Sequence, residues 1–177
     1  MKQFLQKKVV WKTLSFWGVF MILYFLYKYF PNGVFAIFCG ITESCFQHFK
    51  AGFFSYLFVN LVEYLMNRRR IADHDKYIYA RITATTLLPW IIFLLWYIAP
   101  AVHGRWPNNT YEIIYANIIT ILVGIFTVIL ENGFETAVYK RSQKTVLLIL
   151  FFVSIMMYIV FTYQLPWTDV FVEPDWR

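Results

Sequence analysis

Thr145-Val-Leu-Leu-Ile-Leu-Phe-Phe-Val-Ser-Ile-Met-Met-Tyr-Ile-Val-Phe-Thr-Tyr163 carries no charged residue along its length. A helix of about 20 such residues crosses a hydrocarbon core of about 30 Å. Within that core every backbone N–H and C=O must be satisfied internally, which an α-helix achieves and an open strand does not. The stretch therefore predicts a transmembrane helix, and the chain repeats the pattern on its N-terminal side. Apolar runs from about Thr13 to Phe30, Ala51 to Met66, Tyr79 to Ile98 and Tyr111 to Leu130 predict four more spans. Pro31-Asn32-Gly33, the polar run after Arg68, the segment holding Pro100, Gly104 and Pro107, and Glu131 to Lys144 separate them. The expectation is one all-α, polytopic membrane bundle over residues 1–177, with about five transmembrane helices. The tail from Gln164 to Arg177, with Pro166, Trp167, Pro174 and Trp176, is expected along the membrane surface.

Composition supports the same class. Of 177 residues 60% are apolar and 15% charged, against roughly 45–50% and 25% in soluble domains. Disorder, a collagen-like chain, a disulfide scaffold and a typical cytosolic enzyme are excluded. The net charge of +6 does not mark a nucleic-acid binder, because the basic residues cluster at the ends of apolar runs, where they orient membrane proteins. Lys2, Lys7, Lys8, Lys12, Arg68, Arg69, Arg70, Lys76, Arg81, Lys140, Arg141 and Lys144 fall on one side, and Lys28, Arg105 and Arg177 on the other. That asymmetry predicts a plasma-membrane protein with its N-terminus in the cytoplasm and its C-terminus outside. The first apolar run is followed by Lys28-Tyr29-Phe30-Pro31, not by a small-residue cleavage site, so it reads as a retained span. Cys39 and Cys45 are six apart and point to different sides of a helix, which predicts neither a disulfide nor, with two thiols, a zinc site.

The informative polar stretch is Gly40-Ile-Thr-Glu-Ser-Cys-Phe-Gln-His-Phe-Lys50. On a continuous helix Glu43, Gln47 and Lys50 share one stripe, and Gly40, Ser44, His48, Ala51 and Ser55 share the next. Val34 to Met66 would make an ideal helix of about 50 Å, too long for one span within the usual tilt of about 0–40°. A half-helix over about 34–49, a bend at Ala51-Gly52 between about Phe49 and Phe53, and a water-accessible pocket lined by Glu43, His48 and Lys50 are therefore expected. A straight helix would put Glu43 near the middle of the core, where an unpaired carboxylate costs at least a few kcal/mol. Lys50 and His48 are its nearest partners in sequence. A network that merely locks helices together is the competing reading of the same residues.

Other spans offer polar groups. Span three carries Thr83, Thr85 and Thr86 before Pro89, and span four carries Glu112, Tyr115, Asn117 and Thr120. Asn117 and Glu112 are the harder ones to explain by backbone bonding. Asn60, Glu63, Glu131 and Glu135 near Arg68 to Arg70 and Lys140-Arg141 read as solvated ion pairs at a membrane interface. The candidate ligand-binding residues are thus Glu43, Ser44, Gln47, His48, Lys50 and Asn117, with no metal or cofactor and no HExxH pattern.

Thr42-Glu43-Ser44-Cys45-Phe46-Gln47-His48-Phe49-Lys50, followed by a Phe-rich span and Glu63-Tyr64, resembles a family of small bacterial integral membrane proteins of unknown function. Their pattern runs Asn-Glu-Ser-x-x-Glu-His-x-Lys; here Thr42 stands for the Asn and Gln47 for the second Glu. Pro166, Phe171 and Pro174 resemble that family's C-terminal ending. The resemblance implies a membrane fold and transfers no activity, and the lost second carboxylate weakens any metal site. Three functions stay open: binding or transport of a small polar or ionic ligand, an embedded enzyme using Glu43 and His48 as acid and base, and an accessory subunit. Membrane lipids, a small ligand and a second copy of the chain are the expected partners. The balance leans away from an enzyme.

Overall fold

The computed structural model describes residues 2–104 and 108–171. Among them it is all-helical: α1 Lys2–Tyr29, α2 Gly33–Phe38, α3 Cys45–Asn67, α4 His74–His103, α5 Asn109–Phe134 and α6 Arg141–Tyr163. A 3₁₀ turn at Asp169–Phe171 follows. Four of the five long helices are long and apolar enough to cross a membrane: Gln6–Tyr29, His74–Ile98, Thr110–Phe134 and Arg141–Tyr163. The fifth, α3, has 23 residues and could also reach across a core of about 30 Å. It is the more polar helix because it is the central one, packed between α1 and α4 and touched by α2 and the 3₁₀ turn.

The exposed large side chains form the lipid-facing shell expected of such a bundle. Ile22, Leu61, Met66, Trp90, Leu94, Phe126, Phe152, Val153 and Met156 are all exposed. Inside, an aromatic core joins Phe16, Phe20, Phe46, Phe53, Phe54, Tyr56 and Tyr158. Phe16 meets Tyr56 edge-on at 5.7 Å, and Phe53 lies 5.1 Å from Tyr158, in the separation range where ring pairs add to burial. The start of the C-terminal tail folds back, with Phe171 against Phe46 at 4.7 Å and Phe161 at 5.3 Å. Pro174, Trp176 and Arg177 lie outside the described residues, as do Arg105 and Pro107.

Local chemistry sets the helix ends. Asn32 caps α2, its Oδ1 accepting from Val34 N and Phe35 N at 3.0 Å each. Asp73 caps α4 by accepting from Lys76 N at 3.1 Å, and that backbone N–H, with Lys76 beside it, holds the Asp73 carboxyl below its usual range. Gly104, at φ 71°, stands just past α4 in the left-handed conformation that suits glycine. The helix runs past Pro100 to His103, where a loop is expected from the sequence.

The expected break in the second hydrophobic run exists, but in another place. The chain leaves helix at Cys39, in extended conformation, and re-enters it at Cys45, with Ser44 as N-cap. Gly40 N donates to Leu23 O at 3.3 Å, so α2 and its loop dip about 9 Å below the end of α1. Ala51-Gly52, expected to bend, sits inside unbroken helix. The reason is packing. A Cβ on Gly52 would lie 2.6 Å from Ile92 Cδ1 and 3.0 Å from Leu88 Cδ2. The glycine lets α4 approach α3, as small residues do between membrane helices.

Candidate functional site

At the end of the bundle where α2 re-enters, a cavity of about 200 Å³ opens between α1, α3, α4 and α5. Its walls include Phe20, Tyr24 and Phe25 of α1, Trp96 of α4, and Glu112 and Asn117 of α5. The Cys39–Ser44 break contributes Glu43, and the first turn of α3 contributes His48. The break is what brings them there. It puts Glu43 at the head of α3 instead of on its side, so Glu43 faces the cavity mouth and is exposed.

His48 is held by its surroundings. Its ring lies 5.0 Å from Tyr24 and is stacked on Trp96 at 5.5 Å. Its Nδ1 lies 3.0 Å from Ser44 O. A carbonyl only accepts, so Nδ1 carries the proton, and in the neutral ring Nε2 is the acceptor. Asn117 accepts from Trp17 Nε1 at 3.1 Å and donates to Ile113 O at 2.8 Å. Tyr115 ties α5 to α4 by donating to Leu95 O at 2.6 Å. The cavity thus joins two carboxylates, Glu43 and Glu112, with four aromatic side chains and an imidazole.

The other candidates do not reach it. Ser44 is buried and its hydroxyl pairs with Thr42 at 3.3 Å. Gln47 is buried and accepts from Ile41 N at 3.3 Å, which pins the loop. Lys50 was expected in the pocket beside Glu43, and the structure places it elsewhere. It is fully buried, donating to Ala36 O at 2.7 Å and Thr162 Oγ1 at 3.0 Å. Ala36 O is one of the carbonyls left open where the six-residue α2 ends. Lys50 closes that end and joins α2 to α6. Because the helix starts only at Cys45, the expected Glu43–Gln47–Lys50 stripe is never built.

The opposite end holds a second polar cluster, expected from the sequence to be solvated ion pairs. The structure buries its centre, Lys12, Arg81 and Glu131, and leaves Lys8, Glu63 and Glu135 partly exposed. Lys12 Nζ donates to both oxygens of Glu131, at 2.6 and 2.8 Å, and also to Glu63 Oε2. Tyr56 OH donates to Glu131 Oε2 at 2.7 Å. Arg81 lies 3.3 Å from Glu131, 3.5 Å from Glu63 and 2.9 Å from Glu135, over the Tyr77 ring. Lys8 flanks Glu135 at 3.6 Å and donates to Asn132 Oδ1 at 3.1 Å. Glu131 is 0% exposed, and Lys12 and Arg81 about 5%. Three cations, from α1 and α4, balance three carboxylates, from α3 and α5, which is how buried charges are tolerated. Arg68 to Arg70, the expected partners, are exposed instead.

A signal for this cluster was present. Asn117, Thr120, Gly124, Thr127 and Glu131 are spaced 3, 4, 3 and 4 apart, which places Glu131 on one helical stripe with the polar residues of span four. No protein family's model matches the chain, and neither a curated protein nor a solved structure matches it, so the two polar centres are read from their own chemistry.

Proposed function

We propose that this helical membrane protein binds a small organic cation, an alkylammonium, in the cavity lined by Glu43, His48, Trp96, Glu112 and Asn117. The observation that carries the reading is the pairing of two carboxylates with Phe20, Tyr24, Phe25 and Trp96 around one space. Like-charged carboxylates in a confined, partly apolar space repel, and a cation between them relieves the repulsion. Aromatic faces attract the same cation by about 0.5–2 kcal/mol each. His48 Nε2 and Asn117 can receive an N–H. A cavity of about 200 Å³ fits a ligand of about six or seven non-hydrogen atoms, taking roughly 30 Å³ as one water's share. Orientation by basic residues puts this cavity on the outer face of the plasma membrane. The likeness of Thr42 to Lys50 to the motif of small bacterial membrane proteins belongs to the same proposal, with Glu43 and His48 as the motif residues at the ligand.

Calorimetric titration of the detergent-solubilised protein with methylammonium, tetramethylammonium, acetate and a neutral amide tests this. The reading expects saturable binding of the ammonium ions alone, weakened by Glu43→Gln and by Glu112→Gln. Equal affinity for acetate or the neutral amide, or binding indifferent to both substitutions, would overturn it.

A further inference from the structure

The buried charge cluster and the cavity lie at opposite ends of the same helix pair, and what lies between them is polar in an ordered way. Along α5, Asn117, Thr120, Gly124, Thr127 and Glu131 fall on the face turned to α1. From Asn117 to Glu131 is about 21 Å of helix. Facing them on α1 are Thr13, Phe16, Trp17 and Phe20. Trp17 bonds Asn117, and a Cβ on Gly124 would lie 3.0 Å from both Phe16 Cδ1 and Thr13 Cγ2. The two helices therefore touch closely along this line.

Two hydroxyls on it are anomalous. Membrane threonines usually bond the carbonyl four residues back, and Thr83, Thr86, Thr120 and Thr162 do so here. Thr13 and Thr127 do not. Thr13 is 3% exposed, Thr127 is 0% exposed, and neither Oγ1 has a hydrogen-bond partner among the described residues. Thr13 directly follows Lys12, and Thr127 stands four residues, about 6 Å, before Glu131. Among the described residues the other buried side-chain atoms without a hydrogen bond are Asn60 Oδ1, Tyr77 OH, and Arg81 Nε and Nη2, the last still ion-paired with Glu131 at 3.3 Å. Such groups are expected to hold internal water.

Beyond the cluster, a cavity of about 360 Å³ between α1 and α3 is lined by Lys8, Lys12, Ser15, Glu63 and Asn67. Glu63 is 21% exposed there, whereas Glu131 is sealed. Lys12 hydrogen-bonds both carboxylates.

We propose that the α1–α5 seam is a proton path joining the two ends of the bundle, closed in this structure by the packing of Phe16 on Gly124. A proton arriving from the α1–α3 cavity binds Glu63. Lys12 passes one of its own protons to Glu131 and recovers one from Glu63, so a single proton moves and Lys12 is unchanged. Tyr56 of α3, Tyr77 and Arg81 of α4, Glu135 at the C-cap of α5 and Lys8 of α1 surround the exchange and fix its charge balance. From Glu131 the proton passes to water held by Thr13 and Thr127. The dry gap is the pair of turns from Thr127 to Thr120, about 10 Å long, filled by the fully buried Phe16 ring. Past it lie Thr120 and Asn117 at the wall of the cation cavity. The path does not depend on the cation reading, because none of its steps uses Glu43, Glu112 or a bound cation.

Proteoliposomes with an internal pH dye and an imposed potassium diffusion potential read the path directly. Wild-type protein is expected to pass few protons. Phe16→Ala is expected to conduct at least about tenfold faster, the rate change for a barrier lowered by about 1.4 kcal/mol. Adding Thr127→Val or Glu131→Gln to Phe16→Ala should return the rate to the wild-type level. Phe16→Leu serves the same purpose if the alanine variant does not fold. A folded Phe16 variant no leakier than wild type, or one equally leaky with Glu131→Gln, would overturn the path. If neither Phe16 variant folds, infrared difference spectra of the wild type on acidification decide. A carboxylic-acid band lost in Glu131→Gln supports the path, and an unchanged band overturns it.

Discussion

Replacing Lys12 by Met keeps the length of the stem and removes one charge from a cluster that is balanced with it. Glu131, 0% exposed, would keep Tyr56 OH at 2.7 Å and Arg81 at 3.3 Å, but lose both Lys12 bonds, at 2.6 and 2.8 Å. Glu63 would lose its closest cation and retain Arg81 at 3.5 Å and Lys8 at 4.0 Å. Removing one partner from a buried ion pair costs roughly 3–5 kcal/mol, because the other charge stays buried and uncompensated. Here Arg81 remains, so the lower half of that range is expected, about 3 kcal/mol. Adding Glu131→Gln removes the stranded charge, and the double variant should regain at least about 1 kcal/mol relative to the sum of the singles. The assay is reversible unfolding of the purified protein in mixed micelles, completing the cycle of wild type, two singles and double. Additivity within about 0.5 kcal/mol would mean that Lys12 and Glu131 do not share a buried contact, and the account of the cluster would fail.

Three further outcomes follow from the fold. Lys50→Met leaves Ala36 O without its donor and frees α2 from α6. A loss of about 1–3 kcal/mol and faster alkylation of Cys39 are expected, and unchanged Cys39 reactivity would refute the tether. Gly52→Val forces a side chain into Leu88 and Ile92 and should destabilise by about 1–3 kcal/mol in thermal unfolding, whereas a bend at Gly52 would tolerate it. Cysteine placed at Lys7 should react with impermeant maleimide only after cells are opened, and labelling of intact cells would reverse the proposed orientation.

The fold class was legible because membrane spans announce themselves by length. The uncharged run from Thr145 to Tyr163 could be placed without knowing its neighbours, and it forms α6 over Arg141–Tyr163. The break in the second run was legible as a mismatch of length, but not its position. Gly52 looks like a weak point on an isolated helix, and only the nearness of Ile92 shows why it stays helical. The real break depends on Asn32 capping α2 and on Lys50 reaching back to Ala36, which are contacts between segments. Glu43, His48 and Asn117 were found as polar residues of an apolar chain, and they line the cavity. Lys50 was assigned to the wrong partner because sequence proximity to Glu43 stood in for geometry. The charge cluster was undervalued because Lys12, Arg81 and Glu131 sit where orientation signals also sit, and burial there is decided by four helices at once.

The cavity beside Glu43 is proposed to take an alkylammonium. Tetramethylarsonium has the shape and charge of tetramethylammonium and scatters anomalously. A crystal structure grown with it should show an anomalous peak among Tyr24, Trp96, Glu43 and Glu112, lost in the Glu43→Gln, Glu112→Gln double variant. A map without a peak in that cavity, or a peak that persists in the double variant, would contradict the claim.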